Sequence, residues 1–467
     1  MALWAGLALW AAPVAARAGG PTLVPGDSIS DAVNYAACGD TVTLSAGTYD
    51  EDVEVYDITL CPPDQRIRVV GAAGPRPLIV GRRSAIRYHG SGVDFEHLEL
   101  TTRSARCDID HRVVLGDGTY FDFIDVYIHD GGYDGFGTYC GAANIRLLDS
   151  EVARNGLGCF DGGPLNGDGA DLFACRDCEV GNSWIHGNNL YAIQIKGGTS
   201  GIWVHDSTLA SQSQYVIIVG RPGNTDDCPG LAYNAEDVLI ERNVLVATWV
   251  NGWPLEVYDV SGLVFQHNTI VIHDNEAGAD GLSGGFVSFS EDLTADMSVI
   301  VRNNIFDSRG PALIFPFCLG GAEKAGCTEP WALAGLEAGN NLFHDTSGAL
   351  TAPPDGAATS LVADPLFVAW PGDLGLDPSS PAVDAGQDVG APFTGAAPDL
   401  GAFELGDDGT QPPDPMDPLP GSAGHVNACG CATVGRRGAG AAGPLALVVI
   451  LAACLGRPRW SRSSRMP

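Results

Sequence analysis

The chain has 467 residues, a formal net charge of −32, 62 glycines and 30 prolines. An acidic surface of this strength repels a phosphate backbone, so nucleic acid is excluded as a partner, and it tolerates calcium well. The length would hold two or three ordinary domains or one long repeat array, and the abundance of turn-forming residues favours the array. Basic residues are lopsided: 23 arginines against two lysines, Lys196 and Lys324.

Residues 1–18 read as a signal peptide, with an apolar run from Leu3 to Val14 and a small-x-small cleavage site, Ala16-Arg17-Ala18, before Gly19. Residues 19–404 form one solenoid unit with a cap at each end. Ser28-Ile29-Ser30-Asp31-Ala32-Val33 predicts a short helix, and Gly39-Asp40-Thr41-Val42-Thr43-Leu44-Ser45-Ala46-Gly47-Thr48-Tyr49 a first coil. This opening resembles that of pectate-lyase-like β-helix proteins, in which a short helix covers the end of the solenoid. An open end would expose unpaired strand edges and core. Arg66-Ile67-Arg68-Val69-Val70-Gly71 and Pro77-Leu78-Ile79-Val80-Gly81 extend the resemblance. It speaks to fold and not to function, because the same fold carries lyases, hydrolases, isomerases and adhesins.

A phrase of apolar, any, apolar, any, any, polar, any, apolar then recurs. It is clearest as Val238-Leu239-Ile240-Glu241-Arg242-Asn243-Val244-Leu245, and returns at Leu263–Ile270 and Val299–Phe306. Looser copies place their second apolar slot at Phe95, Phe123, Leu147, Val180 and Val204, with steps of 24 to 36 residues along the series. A floor near 24 with occasional insertions is the signature of a solenoid with side loops. Alternation at period two makes each copy a strand with one face inward. The polar slot holds Ser150, Ser183, Ser207, Asn243, Asn268 and Asn304. Inward amides and hydroxyls are costly unless each bonds its copy in the next coil. A β-sandwich of evenly spaced strands does not explain a polar residue at one phase of the repeat. The expected fold is all-β: a single-stranded right-handed parallel β-helix with a short N-terminal capping helix.

Ten of the 13 cysteines fall between Cys38 and Cys327. An even number in an exported chain favours disulfides, with Cys38–Cys61 and Cys318–Cys327 the easiest local pairs. Cys175-Arg176-Asp177-Cys178 has the spacing of a redox or zinc motif, but no histidine stands at ligand distance in the sequence.

The densest polar stretch runs from Asn155 to Arg221. With a coil of about 24 residues, Leu172, Lys196 and Gly220 stack, which sets Asp171 beside Lys196 from below and Arg221 beside it from above. In Ile193-Gln194-Ile195-Lys196 the isoleucines point in, leaving Gln194 and Lys196 outward. Asp161, Asp168 and Asp171 are the candidate calcium ligands, Gln194 and Tyr191 the candidate substrate contacts. The Lys196/Arg221 pair is similar to that of the chondroitinase-B and alginate-lyase β-helix family, where a lysine base and an arginine acid come from neighbouring coils. That resemblance makes Lys196 the base and Arg221 the acid, with calcium neutralising a uronate carboxylate before β-elimination. Arg221 lies on the wrong parity of its strand for this role. Outward acids exist elsewhere (Asp122, Asp125, Asp149, Glu256), but without the Asn-Thr-Asp signature of β-helix polygalacturonases. A non-enzymatic solenoid would instead use Tyr191, Trp203, Trp249 and Trp253 as sugar platforms.

Asp364-Pro365-Leu366-Phe367, Ser380–Gly386 and Pro398–Glu404 resemble the terminal segment of secreted bacterial β-helix proteins and are expected to form the C-terminal cap. Residues 405–428 are a Pro/Asp/Gly-rich linker. In 429–467, Cys429-Gly430-Cys431 precedes an apolar run from Ala439 to Leu455 and then Arg457, Arg459, Arg462 and Arg465. This order is similar to the C-terminal sorting tails of myxobacterial surface proteins, which implies a sorting protease as partner, membrane contact through the tail, and a place at the cell surface or in the medium after processing. The sequence therefore describes an exported, monomeric β-helix that contacts polysaccharide as a binding, adhesive or structural solenoid. The alternative is a calcium-assisted polyuronide lyase.

Overall fold

In the computed structural model the described residues are 20–104, 111–157, 167–211, 215–221, 228, 234–247, 253–273, 285–290, 297–310, 315–319, 335–348 and 350–412. They form a right-handed parallel β-helix. The second apolar slot of the repeat runs in unbroken register from coil to coil: Val42, Val69, Phe95, Phe123, Leu147, Val180, Val204, Ile240, Phe265, Val301 and Ala338. The irregular steps in sequence are thus absorbed between strands, and the hydrophobic column fixes the register.

Each full coil has three strands. In one, Ala235–Glu241 bends at Arg242 into Val244–Ala247, and Trp253–Val257 follows before the next coil begins at Val260. The first two stacks merge into one sheet of 22 strands, and the third makes a ten-stranded sheet. The pairings between coils are parallel; Phe367–Ala369 and Asp373–Leu376 form an antiparallel hairpin.

The bend between the first two stacks is made by one left-handed residue per coil: His97, Asp125, Asp149, Asn182, Asp206, Arg242, His267, Asn303 and Asn340, with φ from 47° to 55°. Asn and Asp enter this region at least cost among residues with a side chain, and they dominate the column. The next residue turns inward and supplies the polar ladder. Ser150 N donates to Ser183 Oγ (3.2 Å), Ser183 N to Ser207 Oγ (3.0 Å) and Ser207 N to Asn243 Oδ1 (3.0 Å). Asn243, Asn268 and Asn304 continue it through backbone N–H to Oδ1 bonds of 2.9–3.0 Å, ending at Asn341 and Ser360. The buried amides are therefore satisfied by their own copies. Valines, isoleucines and leucines fill most of the rest of the interior, with phenylalanines stacked among them as Phe95 on Phe123 (5.4 Å between centroids) and Phe306 on Phe343 (5.1 Å).

The helix Ile29–Asn34 covers the N-terminal coil. Ser28 caps it by accepting from Asp31 N, and Ile29 and Val33 are buried in the core. Glu51 reinforces the cap, accepting from Ile29 N (2.8 Å) and Ser30 N (3.1 Å). Residues 364–411 lie along the flank of the second stack. Leu374, Phe367, Trp370 and Phe403 pack on the outward Val244, Val246 and Val271, and Leu376, Ala382 and Leu400 pack on Ile305 and Leu342. Thr269 Oγ1 accepts from Ala402 N, and Asn303 exchanges two hydrogen bonds with Gln387.

Disulfides join Cys38–Cys61, Cys140–Cys228 and Cys175–Cys178. The Cys-x-x-Cys segment is thus a local cross-link. Cys318 is also disulfide-bonded, while Cys327 lies outside the described residues. So do the apolar leader and the tail from residue 413 onward. Among the described residues no helix is long and apolar enough to cross a membrane.

Candidate functional site

The ten-stranded sheet carries the chemistry. Its rungs in register run Phe136–Thr138, Ala170–Phe173, Ile193–Lys196, Tyr215–Arg221 and Trp253–Val257. Inward positions are apolar: Ile193, Ile195, Ile217 and Val219 are fully buried. The outward column reads Leu115, Gly137, Asp171, Gln194, Ile218 and Glu256. A second polar column precedes the strands at Arg112, Asp134, Asp168 and Tyr191.

Asp134, Asp168 and Asp171 converge, with one oxygen from each within 4.8 Å of the others, and all three are buried. Arg112 enters this cluster from two rungs below Asp171. Its Nε donates to Asp134 Oδ2 (2.7 Å) and its Nη2 to Asp171 Oδ2. Its guanidinium carbon lies 5.5 Å from the Tyr133 ring centroid and 5.6 Å from that of Tyr139. Lys196 Nζ sits 3.0 Å from the same Asp171 Oδ2 and donates to Gln194 Oε1. Asp134 Oδ1 accepts from Gly167 N (3.2 Å) and Asp168 N (2.9 Å), and Asp168 Oδ1 from Tyr191 N (3.3 Å).

Burial, with the charges of Asp134 and Asp171, pushes the Asp168 carboxyl well above its ordinary value. Burial also raises Asp134, against the opposing pull of Arg112. Arg112 stays charged despite its burial because Asp171 and Asp134 hold it. Two cations thus face three carboxylates, of which Asp168 leans to the protonated form. Tyr191 is pushed up to about 12 by burial, with Arg221 acting the other way.

The sequence-derived pair is brought together more directly than the 24-residue coil implies. Lys196 registers with Arg221, not with Gly220, because a bulge at Gly220 (φ 77°) inserts one residue. The same bulge corrects the parity, so Arg221 shares the Lys196 face, and its Nη1 reaches Tyr191 Oη at 3.4 Å. Asp171 registers with Gln194 and meets Lys196 diagonally. Gln194 points outward but is only 3% exposed, so it orients Lys196 instead of offering a free surface. Asp161 and Trp249 lie outside the described residues. Trp253 is 3% exposed, which removes it as a sugar platform, whereas Trp203 is 38% exposed and donates to Glu241. Asp122, on another face, is bound by Arg66 and Arg146.

Arg112 and Asp134 were not singled out from the sequence. A signal for Asp134 existed: Asp134-Gly135-Phe136-Gly137 and Asp168-Gly169-Ala170-Asp171 share an Asp-Gly-apolar phrase, one rung apart. Arg112 has no local motif.

The donor set bears on the expected calcium. Three converging carboxylates suit an oxygen-seeking cation, which takes six to eight oxygens in all. Here both oxygens of Asp134 and one of Asp171 are already engaged by Arg112 or backbone N–H groups. Among these residues Asp171 Oδ1 and Arg112 Nη1 are buried without a hydrogen-bond partner. With Arg112 in place the described residues do not fit calcium.

No family model matches the chain, and no curated protein does. Among solved structures it is similar to the pectate lyase Pel9A, at 16% identity and a TM-score of 0.51, covering 81% of this chain and 91% of that one. An alginate lyase from Paenibacillus sp. str. FPU-7 aligns at 15% identity and a TM-score of 0.46, covering 64% and 98%. The Streptococcus pneumoniae surface protein and adhesin PfbA aligns at 10% identity and 0.44, covering 74% and 100%. At these identities the likeness concerns the fold.

Proposed function

We propose that this chain binds an acidic polysaccharide on the ten-stranded face, with Lys196, Arg221 and Tyr191 as the contact groups. One observation carries this reading: a lysine and an arginine stand on adjacent rungs above a cluster of buried carboxylates. Buried charge is expensive, and neighbouring rungs of the same column, Leu115 and Ile218, show that the fold does not require it. A uronate carboxylate is the ligand group that an exposed arginine and a half-buried lysine on adjacent rungs would hold.

The same geometry supports β-elimination as a second reading. Arg221 lowers the negative charge of a bound uronate and so acidifies the proton on the carbon beside its carboxylate. Lys196 Nζ takes that proton, a C=C bond forms as the C–O bond to the next sugar breaks, and the glycosidic oxygen leaves as a hydroxyl with a proton donated by Arg221. Gln194 and Asp171 position Lys196.

We further read the protein as exported. Its disulfides, the apolar leader and the Cys, apolar, Arg order of the tail support this. The test uses pectate, alginate, hyaluronan and chondroitin with wild type, Lys196→Ala and Arg221→Ala, following glycan binding and the absorbance of unsaturated uronides. Binding lost in both variants supports recognition, and product formation lost in Lys196→Ala supports elimination. Binding that survives in both variants would place the polysaccharide elsewhere.

A further inference from the structure

The guanidinium of Arg112 occupies the middle of a carboxylate cluster that would otherwise suit a divalent cation. Its side chain is 3% exposed, and it spans two rungs to bond carboxylates 22 and 59 residues away in sequence. The rung it crosses carries Gly137 in the outward column, where the next two rungs have Asp171 and Gln194. A Cβ at Gly137 would lie 2.5 Å from Arg112 Cδ and 2.9 Å from its Nε. Gly137 is not in the left-handed region, so backbone conformation does not demand glycine there; space for the arginine does. Two tyrosine rings flank the guanidinium. The arrangement is built for a fixed organic cation.

We propose that Arg112 is a resident cation that stands in for a metal, so that the Lys196 face is neutralised from beneath without calcium. Asp134, Asp168 and Asp171 then form a latent divalent-cation site that opens only when the guanidinium is removed. The consequence for catalysis rests on the polysaccharide reading above; the occupancy of the cluster does not.

The test is made on the whole protein without glycan. Calcium binding is measured by titration calorimetry, and thermal melting in calcium and in chelator, for wild type, Arg112→Gln, Asp168→Asn and the Arg112→Gln/Asp168→Asn double variant. The expected result is that Asp168→Asn leaves wild-type calcium uptake unchanged and that calcium does not shift the wild-type melt through this cluster. Arg112→Gln should melt lower in chelator, gain one calcium per chain over wild type, and recover melting temperature in calcium; the double variant should lose that gain. Wild-type calcium binding that disappears in Asp168→Asn would overturn the proposal. So would an Arg112→Gln protein that folds but takes up no additional calcium. If Arg112→Gln does not fold, the comparison of wild type with Asp168→Asn decides. A glycan assay that fails while these titrations come out as expected would remove the polysaccharide reading and leave the resident cation standing.

Discussion

Replacing Asn268 tests the ladder most directly. Its side chain is fully buried, and its Oδ1 accepts from both Asn243 N (3.0 Å) and Asn243 Nδ2 (3.1 Å). Its Nδ2 donates to Ile240 O, Gln266 O and Asn304 Oδ1 at 2.9–3.1 Å. Asn268→Ala orphans the Asn243 N–H, which costs about 1–3 kcal/mol, and loses the amide's own donor bonds, about 1 kcal/mol more for each. The void adds about 1 kcal/mol. The expected loss is about 5–7 kcal/mol. Asn268→Ser keeps an acceptor where Ser183 and Ser207 already serve the same slot, so it should cost only about 1–2 kcal/mol. Urea midpoints of the two variants against wild type measure both. If alanine costs no more than serine, the ladder is not a source of stability and its regularity has another origin.

Removing the Cys140–Cys228 link, which closes a separation of 88 residues, by the double Cys140→Ser/Cys228→Ser change should cost about 4–5 kcal/mol in the loop-entropy account, read as a lower melting temperature without reductant. At His205, burial opposes the charged ring, but Asp206 and Glu179 outweigh it and raise its pKa. Its contribution is therefore complete below its unfolded value, about 6.5, and lost as pH rises through the raised one. Asp206, lowered to about 2 by His205 and Arg242 despite burial, contributes above about 4 and loses that contribution as pH falls toward its folded value. Urea midpoints from pH 2 to 9 should show both flanks, and His205→Gln should flatten the alkaline one. Gly220→Ala places a Cβ against the Asp259 carbonyl at a positive φ; it should cost about 1–3 kcal/mol and misplace Arg221, seen as weaker glycan binding than the loss of stability explains.

The hydrophobic column was legible because it is local. Phe95, Val204 and Phe265 announce their face within eight residues, and the insertions between coils leave that phase untouched. The ladder was legible for the same reason, since a buried amide recurring at one phase has few other uses. The site was only half legible. Lys196 stood out by composition and Arg221 by its place one coil on, but their alignment depends on one inserted residue at Gly220, and a count of 24 cannot reveal a bulge. Arg112 was invisible because its partners are set by three loop lengths, and its best marker is an absence, the missing side chain of Gly137. Trp253 misled because an aromatic residue at a strand start reads the same whether it faces solvent or packing.

The flank segment 364–411 ties the molecule's schedule to its architecture. A solenoid can add coils one after another as the chain is made, since each needs only its predecessor. The second stack, however, carries Val244, Val246, Val271, Ile305 and Leu342 on its outside, and these stay wet until Phe403 and its neighbours have been synthesised. At roughly 5–20 residues per second, the stretch from Val244 to Phe403 leaves an apolar stripe uncovered for about 8–30 seconds in an otherwise finished coil. The last part of the domain to arrive is therefore the one that makes the middle soluble, and a chain cut short after Asp345 would have its coils and still be prone to cling to its copies.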